Sequence, residues 1–232
     1  MGHVVSWILL GGVPTLVVGH ALIHESSKTA RLLGQALFLV MNYPDFPMHH
    51  VEGHHRHVAT DEDPHSAPAN LDFYRFFLRC LAGETRRLTQ RKHRRRVLAL
   101  AILQAGFLAL LAVLAGPRAL AVYLVTTFFV RMIITLVNYV QHYGLRRSPG
   151  QKASEEHAWD LPHRSASWLF FNAGFHAEHH MKASVPPEGL AFRGARFVLP
   201  YNIPVILTLA FVPRWFFRTM NPMLPELART CA

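Results

Sequence analysis

The sequence predicts an all-α, polytopic membrane helical bundle, and two observations support this fold class. Hydrophobic residues make up 51% of the 232-residue chain. They are bunched into long runs, and they do not recur with the period of an amphipathic helix or of a half-buried strand. Three runs are long enough for a helix to cross the hydrocarbon layer of a bilayer, which is about 30 Å thick. We therefore expect one membrane-embedded domain over residues 1–232, with spans at about residues 4–24, 97–116 and 119–140.

The spans differ in their charges and in their connections. No basic segment precedes the first span, so we expect it to remain in the protein and not to be a cleaved signal peptide. The second span has no charged side chain, and the third has only Arg131. The link Gly116-Pro117-Arg118 predicts a tight turn between them. Two shorter apolar segments, residues 32–48 and 201–217, contain prolines and are expected to be interfacial or re-entrant.

Three short histidine clusters share the spacing of a helical turn. They contain His20 and His24; His50, His54 and His55; and His176, His179 and His180. Residues at i, i+3 and i+4 lie on one face of a helix, so each cluster can point its imidazoles at one place. Imidazole binds zinc, copper, iron and nickel, and the clusters offer more ligands than the three or four that one zinc takes. They therefore predict a dinuclear metal site.

The charge distribution predicts the orientation of this site. If the clusters share one site, they must emerge at the same membrane face, so residues 32–48 should not cross. The chain has 24 Lys and Arg against 14 Asp and Glu, a net charge of +10, and the basic residues are concentrated on the histidine side. By the positive-inside rule, the metal site and the C-terminus are cytoplasmic and the N-terminus is outside. Attraction to anionic lipid explains this basic surface, with docking of an acidic electron carrier as the second interpretation. No nucleic-acid partner is expected.

The number and spacing of the cysteines show which redox sites the sequence does not contain. The chain has two cysteines, Cys80 and Cys231, and no CxxC pair, so it carries no iron–sulfur or rubredoxin-like site. There is also no GxGxxG motif, so a built-in flavin or nicotinamide site is not expected. Redox chemistry at the predicted site would draw electrons from an external donor.

The histidine clusters and their surroundings resemble the histidine boxes of the integral-membrane alkane monooxygenases, within the membrane fatty-acid desaturase and hydroxylase superfamily. The resemblance is carried by HHVEGHHRHVATDEDP at residues 49–64, NYVQHYGL at 138–145, HAEHH at 176–180 and ILTLAFVPRWFFRTMNPML at 206–224. It implies two non-haem irons held by nine histidines. These are His20, His24, His50, His54, His55, His142, His176, His179 and His180.

The resemblance also implies an activity. The reaction would insert one oxygen atom from O₂ into a C–H bond of a hydrophobic substrate, such as an alkane, a fatty acyl chain or another lipophilic metabolite. Electrons would come from a rubredoxin or ferredoxin with an NAD(P)H-dependent reductase, and the location would be a bacterial inner membrane. Two alternatives stay open: a fatty-acid or lipid desaturase on the same di-iron scaffold, and a membrane metal-binding or transport protein. Family members carry further membrane spans before the first histidine box, and these spans would form part of the wall of the substrate channel. A homo-oligomer could replace that part of the channel wall.

Further side chains are candidates for supporting roles. Five could hold the ligands by hydrogen bonds, namely His49, Glu52, His57, His163 and Glu178. Metal ligation is the alternative for His49 and His57. Arg131 is a candidate to bind a substrate carboxylate, with a structural pairing to a backbone carbonyl, Gln104 or another internal acceptor as the alternative. Residues 72–80 predict an amphipathic interfacial helix with its aromatic face in lipid. His3, His65, His93 and His157 are expected at the surface or in loops.

Overall fold

The regular secondary structure of the described residues is helical, with loops between the helices. The computed structural model describes residues 6–148, 150–163, 167, 171–194 and 196–225. These residues contain no strand, only an isolated bridge between Asp160 and Val198, which confirms the predicted all-α class. The chain divides into two compact units. Unit 1 comprises Met1–Val51 and Glu84–Ile133, and unit 2 comprises Glu52–Gly83 and Ile134–Ala232.

Unit 1 begins with two packed helices that carry the first histidines. Helix α1 (Val13–His24) continues a π-helical turn, and α2 (Lys28–Val40) follows after a short link. The side chain of Ser27 caps α2 by accepting a hydrogen bond from the Ala30 N–H. A Cβ at Gly34 would lie 3.0 Å from the carbonyl oxygen of Gly19. Glycine therefore permits the close approach of α1 and α2, which fixes His20 and His24 near the end of α1.

Short helical pieces follow in the segment of the second histidine cluster. They are α3 (Phe46–His49), a π-helical turn (His50–His54) and α4 (His55–His57). The π turn is wider than an α turn, and such turns are frequent at functional sites. It spaces His50 and His54 differently from the α-helical turn that the sequence spacing predicts.

Helix α5 (Phe73–Leu88) has an aromatic face that packs inside the protein. Phe73 and Phe76 are 2% and 0% exposed, and their rings lie 5.7 and 5.2 Å from that of Tyr139. The prediction that this face enters lipid is therefore wrong. The cause is that an amphipathic pattern shows which face is buried but not what covers it.

Helix α6 (Arg94–His142) is a hairpin of two arms. Gly116, with φ 81° and ψ 171°, interrupts it just before Pro117. The rings of Phe107 and Tyr123 lie 5.7 Å apart, whereas a straight helix would separate these residues by about 24 Å. The chain therefore reverses at Gly116, which confirms the predicted turn.

The lengths of the apolar helices show which of them are long enough to cross a membrane. Among the described residues, one helix, Arg91–His142, is long and apolar enough to cross a membrane, and Leu10–His24 is a shorter apolar helix. At 1.5 Å per residue, the first arm of α6, residues 94–115, extends about 33 Å, close to the thickness of the hydrocarbon layer. Helix α2 extends only about 20 Å by the same measure.

The last helices of unit 2 pack beside the end of α6. They are α7 (His176–Met181), α8 (Ile203–Ala210) and α9 (Pro213–Met220). Pro213 separates α8 from α9 because it cannot continue the ladder of helical hydrogen bonds. Phe216 of α9 packs on Tyr139 and Tyr143, with ring centroids 4.9 and 4.8 Å away. These contacts hold the segment that bears His142.

Candidate metal centre

Four histidines of unit 2 converge on one point. The ligand atoms of His54, His142, His176 and His180 all lie within 4.8 Å of one another, and we call these residues the quartet. Nε2 of His176 is 3.0 Å from Nε2 of His142 and 3.1 Å from Nε2 of His180. All four side chains are buried, with exposures from 0% to 8%. The four come from three separate segments, so only the fold brings them together.

Hydrogen bonds behind the rings fix which nitrogen faces the centre of the quartet. Nδ1 of His54 lies 2.7 Å from Oδ2 of Asp63, and Nδ1 of His142 lies 3.1 Å from the carbonyl oxygen of His157. Both acceptors lack a proton to donate, so each Nδ1 carries the hydrogen and each Nε2 presents its lone pair inward. Nitrogen lone pairs that face one another at 3.0 Å can bind one cation between them. The quartet therefore fits a metal ion that prefers imidazole ligands.

The third histidine cluster is positioned by carboxylates at both sides of α7. Oδ1 of Asp160 accepts a 2.8 Å hydrogen bond from the backbone N–H of Ala177 at the start of the helix. Burial raises the pKa of Asp160 to about 6, although hydrogen bonds from the backbone of Ala177 and His176 oppose this rise. The carboxylate of Glu178 accepts from the Ala191 N–H at 2.8 Å and from Nε of Arg193 at 2.6 Å. Glu178 thus ties α7 to the following loop and does not orient an imidazole through these bonds.

The charge states of the surrounding groups favour ligation. Burial, reinforced by the neighbouring imidazoles, lowers the pKa of His180 well below its ordinary value, so this ring is neutral and able to donate a lone pair. Burial opposes ionisation of Asp63, but the attraction and the hydrogen bond of His54 lower its pKa far below its ordinary value. His180 therefore offers a neutral imidazole to the quartet, and Asp63 stands behind His54 as a fixed carboxylate.

Unit 1 contains a second group of histidines, the trio of His20, His24 and His50. Nε2 of His20 lies 2.6 Å from Nε2 of His50, and the ring centroids of His24 lie 5.0 and 5.2 Å from those two rings. The ring of Phe46 stacks on His50 with a centroid distance of 4.9 Å and an interplanar angle of 12°. The trio thus also brings imidazole nitrogens face to face.

Unit 2 contains a further pair of histidines. Nε2 of His179 lies 3.0 Å from Nε2 of His55, and the ring of His55 lies 4.5 Å from that of His180. The quartet, the trio and this pair include every histidine of the predicted nine-residue set. The structure therefore places all nine in one of three close groups.

The side chains predicted to support the ligands have varied partners. Nε2 of His49 lies 2.7 Å from Oδ2 of Asp45, and Nδ1 of His57 lies 2.8 Å from a carboxylate oxygen of Glu62. Glu52 is half-buried. Nε2 of His163 has no hydrogen-bond partner among the described residues. Asp45, His49 and Glu84 form another close group that could hold a metal ion, but Glu84 is already engaged by an arginine.

That arginine is Arg131, the predicted candidate for a substrate carboxylate. Its guanidinium forms an ion pair with Glu84, whose side chain is 3% exposed, and it lies 4.2 Å from the ring centroid of Tyr43. The Tyr43 hydroxyl donates to the other oxygen of Glu84. Arg131 is thus paired inside the protein, as the alternative role required, and the internal acceptor is the carboxylate of Glu84.

Sequence analysis missed two supports of the quartet, Asp63 and the carbonyl of His157. Asp63 belongs to the ATDEDP segment that follows the second cluster, and its position there was the available signal. For His157 no signal existed, because a backbone carbonyl can belong to any residue. His65 and His157 lie in loops, as expected, although they are only 5% and 2% exposed. His93 is at neither the surface nor a loop, since it is 7% exposed and belongs to the 3₁₀ turn Arg91–His93. His3 lies outside the described residues.

The chain is similar to a known protein family and to several curated proteins. Residues 2–198 match the family model described as fatty acid desaturase. Alkane 1-monooxygenase 2 of Alcanivorax borkumensis is 27% identical over 241 residues, covering 96% of this chain and 63% of that protein. Alkane 1-monooxygenase of Ectopseudomonas oleovorans is 26% identical, with coverages of 96% and 62%. The xylene/toluene monooxygenase hydroxylase component XylM of Pseudomonas putida is 27% identical, with coverages of 97% and 64%.

The chain belongs to the fatty acid desaturase family, because the family model matches residues 2–198. Its helical fold and buried histidine clusters are consistent with that membership. Within that superfamily, the similarity to alkane 1-monooxygenases confirms the predicted resemblance to the alkane monooxygenase branch. The chain spans about three-fifths of the length of these curated relatives, 63% and 62% in the two cases.

Proposed function

We propose that the protein is a membrane non-haem di-iron monooxygenase that inserts one oxygen atom of O₂ into a C–H bond of a hydrophobic substrate. The observation that carries this proposal is the buried quartet, in which Nε2 of His176 lies 3.0 and 3.1 Å from Nε2 of His142 and His180 and His54 completes the group. Relatives named alkane 1-monooxygenase and xylene/toluene monooxygenase component support the reaction class. The comparisons do not favour the desaturase or transport alternatives.

In this proposal the nine histidines bind two irons, and the quartet is one of the two sites. The other five histidines of the predicted set are assigned to the second iron. Bound iron would supply the reductive activation of O₂. The ligand set has no thiolate and suits a metal that accepts imidazole.

The roles of the surrounding residues follow from their contacts. Asp63 and the carbonyl of His157 hold His54 and His142 with their lone pairs inward. Asp160 holds the start of α7, so His176 and His180 keep their positions. The near-complete burial of the quartet limits its contact with bulk water, which protects a reactive oxidant from side reactions.

The same proposal includes a location and partners. We propose that α6 crosses a bacterial inner membrane as a hairpin, with the N-terminus outside and the metal centre and C-terminus on the cytoplasmic side. The hydrophobic substrate would enter from the lipid. Electrons would come from a rubredoxin or ferredoxin and its NAD(P)H-dependent reductase, since the chain has only two cysteines and no CxxC pair. A homo-oligomer is compatible with this arrangement.

Elemental analysis of detergent-purified protein tests the metal centre. We expect about two irons per chain in the wild type, and less iron in His176→Ala because a quartet ligand is lost. His93→Ala is the matched control, since His93 is also buried, at 7% exposure, but lies outside the nine histidines. A single zinc per chain, or equal iron in both variants, would contradict the proposal.

Product analysis tests the reaction. With a reconstituted electron donor and ¹⁸O₂, an alkane or fatty acyl substrate should yield an alcohol that contains one labelled oxygen. His176→Ala should give none of this product. An alkene without label would indicate the desaturase alternative instead.

A further inference from the structure

A partly open cavity in unit 2 reaches the candidate metal ligands. Its volume is about 770 Å³, and its lining includes His55 and His180. His180 belongs to the quartet, and His55 faces His179 across 3.0 Å. The two rings are neighbours, with centroids 4.5 Å apart. The cavity thus borders both groups of ligands that unit 2 contains.

Most of the other lining residues are polar or charged, with Gly150, Ala153 and Met181 as the exceptions. Arg56, Asp61, Glu62, Arg147 and Lys152 all contribute to it. Leaving charged side chains without water is costly, so a cavity with this lining holds water. The charged residues also make it unsuited to an apolar substrate, which would lose favourable contacts on entering.

The cavity connects solvent with a buried position. Arg56, Asp61 and Lys152 are exposed, whereas His180 is 8% exposed. Arg147 fixes one wall, because its Nε donates to the Val58 carbonyl at 2.5 Å and its Nη2 donates to the Arg56 carbonyl at 2.7 Å. The opening is therefore built from residues that are held in place by the fold.

We propose that this cavity is an aqueous portal through which water, protons and small anions exchange between solvent and the metal centre. The inference rests on the proposed function. That reaction consumes O₂, one C–H bond, two electrons from the external donor and two protons, and it yields one hydroxyl group and one water. Protons must enter a buried site and water must leave it, and the portal supplies a polar path for both, separate from the entry of the apolar substrate.

Azide exchange on the iron-loaded, air-oxidised protein tests the portal. Azide is a small anion whose binding to ferric iron changes the visible absorption, so stopped-flow mixing gives its association and dissociation rates. Ala153→Trp places a large ring in the cavity lining. Ala69→Trp is the matched control, because Ala69 lines the adjoining cavity of about 710 Å³ but not the portal.

A blocked route changes rates without changing the equilibrium. We expect Ala153→Trp to lower both azide rates by about tenfold or more and to leave the dissociation constant within about twofold of the wild type. Ala69→Trp should exchange azide at the wild-type rates. Should Ala153→Trp fail to fold, Ala153→Phe serves as the smaller obstruction, with folding checked by circular dichroism.

The outcomes separate the portal from the proposed function. Wild-type azide rates in folded, iron-loaded Ala153→Trp and Ala153→Phe would overturn the portal while leaving the metal centre intact. An altered dissociation constant with a normal association rate would also overturn it, since that indicates a changed iron site and not a blocked path. A wild-type protein that binds no iron would overturn the proposed metal centre and the portal together.

Discussion

Asp63 should control the iron affinity of the quartet, although its side chain contacts only one of the four histidines. Oδ2 of Asp63 lies 2.7 Å from Nδ1 of His54 and accepts a 2.6 Å hydrogen bond from the Ser66 hydroxyl. Asp63→Asn keeps the shape of the side chain but removes its charge. We expect iron affinity to fall about 10- to 100-fold, the usual effect of removing a partner that orients a histidine ligand.

The strength of the hydrogen bond gives a similar magnitude. A hydrogen bond to a charged group contributes about 1.5–3 kcal/mol, and a neutral one about 0.5–1.5 kcal/mol. The difference of about 1–2 kcal/mol corresponds to a factor of about 5 to 30 in affinity. Asp63 is 1% exposed, so solvent does not screen this interaction and the upper part of the range applies.

Competition with a calibrated iron chelator measures the affinity of the purified variants. Ser66→Ala is the control, because it removes the other hydrogen bond to Oδ2 but keeps the bond to His54. It should lower the stability of the fold by about 0.5–1.5 kcal/mol with little change in iron affinity. If Asp63→Asn binds iron as tightly as the wild type, Asp63 does not set the lone pair of His54.

Thermal unfolding checks two further predictions about the fold. Gly144→Ala should lower the free energy of unfolding by about 1–3 kcal/mol, because Gly144 has φ 70° and its Cβ would lie 2.4 Å from Leu224. At Gly106 an added Cβ would meet nothing within 4 Å, so Gly106→Ala should leave the stability unchanged or raise it by about 0.5–1 kcal/mol. Equal losses of stability in Gly144→Ala and Gly106→Ala would contradict this reasoning. Arg131→Met should cost about 3–5 kcal/mol because it leaves Glu84 buried without its cation. Adding Glu84→Gln should restore most of that loss, and a double variant no more stable than Arg131→Met would show that the pair is not the cause.

The helices of this fold could be predicted from sequence because their signals are local. Uninterrupted apolar runs predicted α1 and α6, and Gly116-Pro117 predicted the reversal between the arms of α6. The i, i+3, i+4 spacing predicted the helix His176–Met181 for the same reason. The covering of a helix face is not a local property. The aromatic face of α5 was therefore assigned to lipid, while the structure buries it against Tyr139.

The grouping of the histidines could not be predicted from their spacing. His50, His54 and His55 form one cluster in sequence, yet they join the trio, the quartet and the pair respectively. The π-helical turn His50–His54 changes their directions, and the sequence has no marker for it. The role of Asp63 was also hidden, because the direction of its carboxylate depends on the turn that follows α4.

The facing lone pairs of the quartet have a consequence for the abundance of the protein in the cell. Nε2 of His176 lies 3.0 and 3.1 Å from Nε2 of His142 and His180, where lone pairs repel one another unless a cation lies between them, so binding of the proposed iron would be coupled to folding. Iron at 100 times its dissociation constant adds about 2.7 kcal/mol to the stability of the folded chain. With iron scarce, a larger fraction of the chains would unfold and be removed by proteases. The steady-state level of the protein would then follow the iron supply.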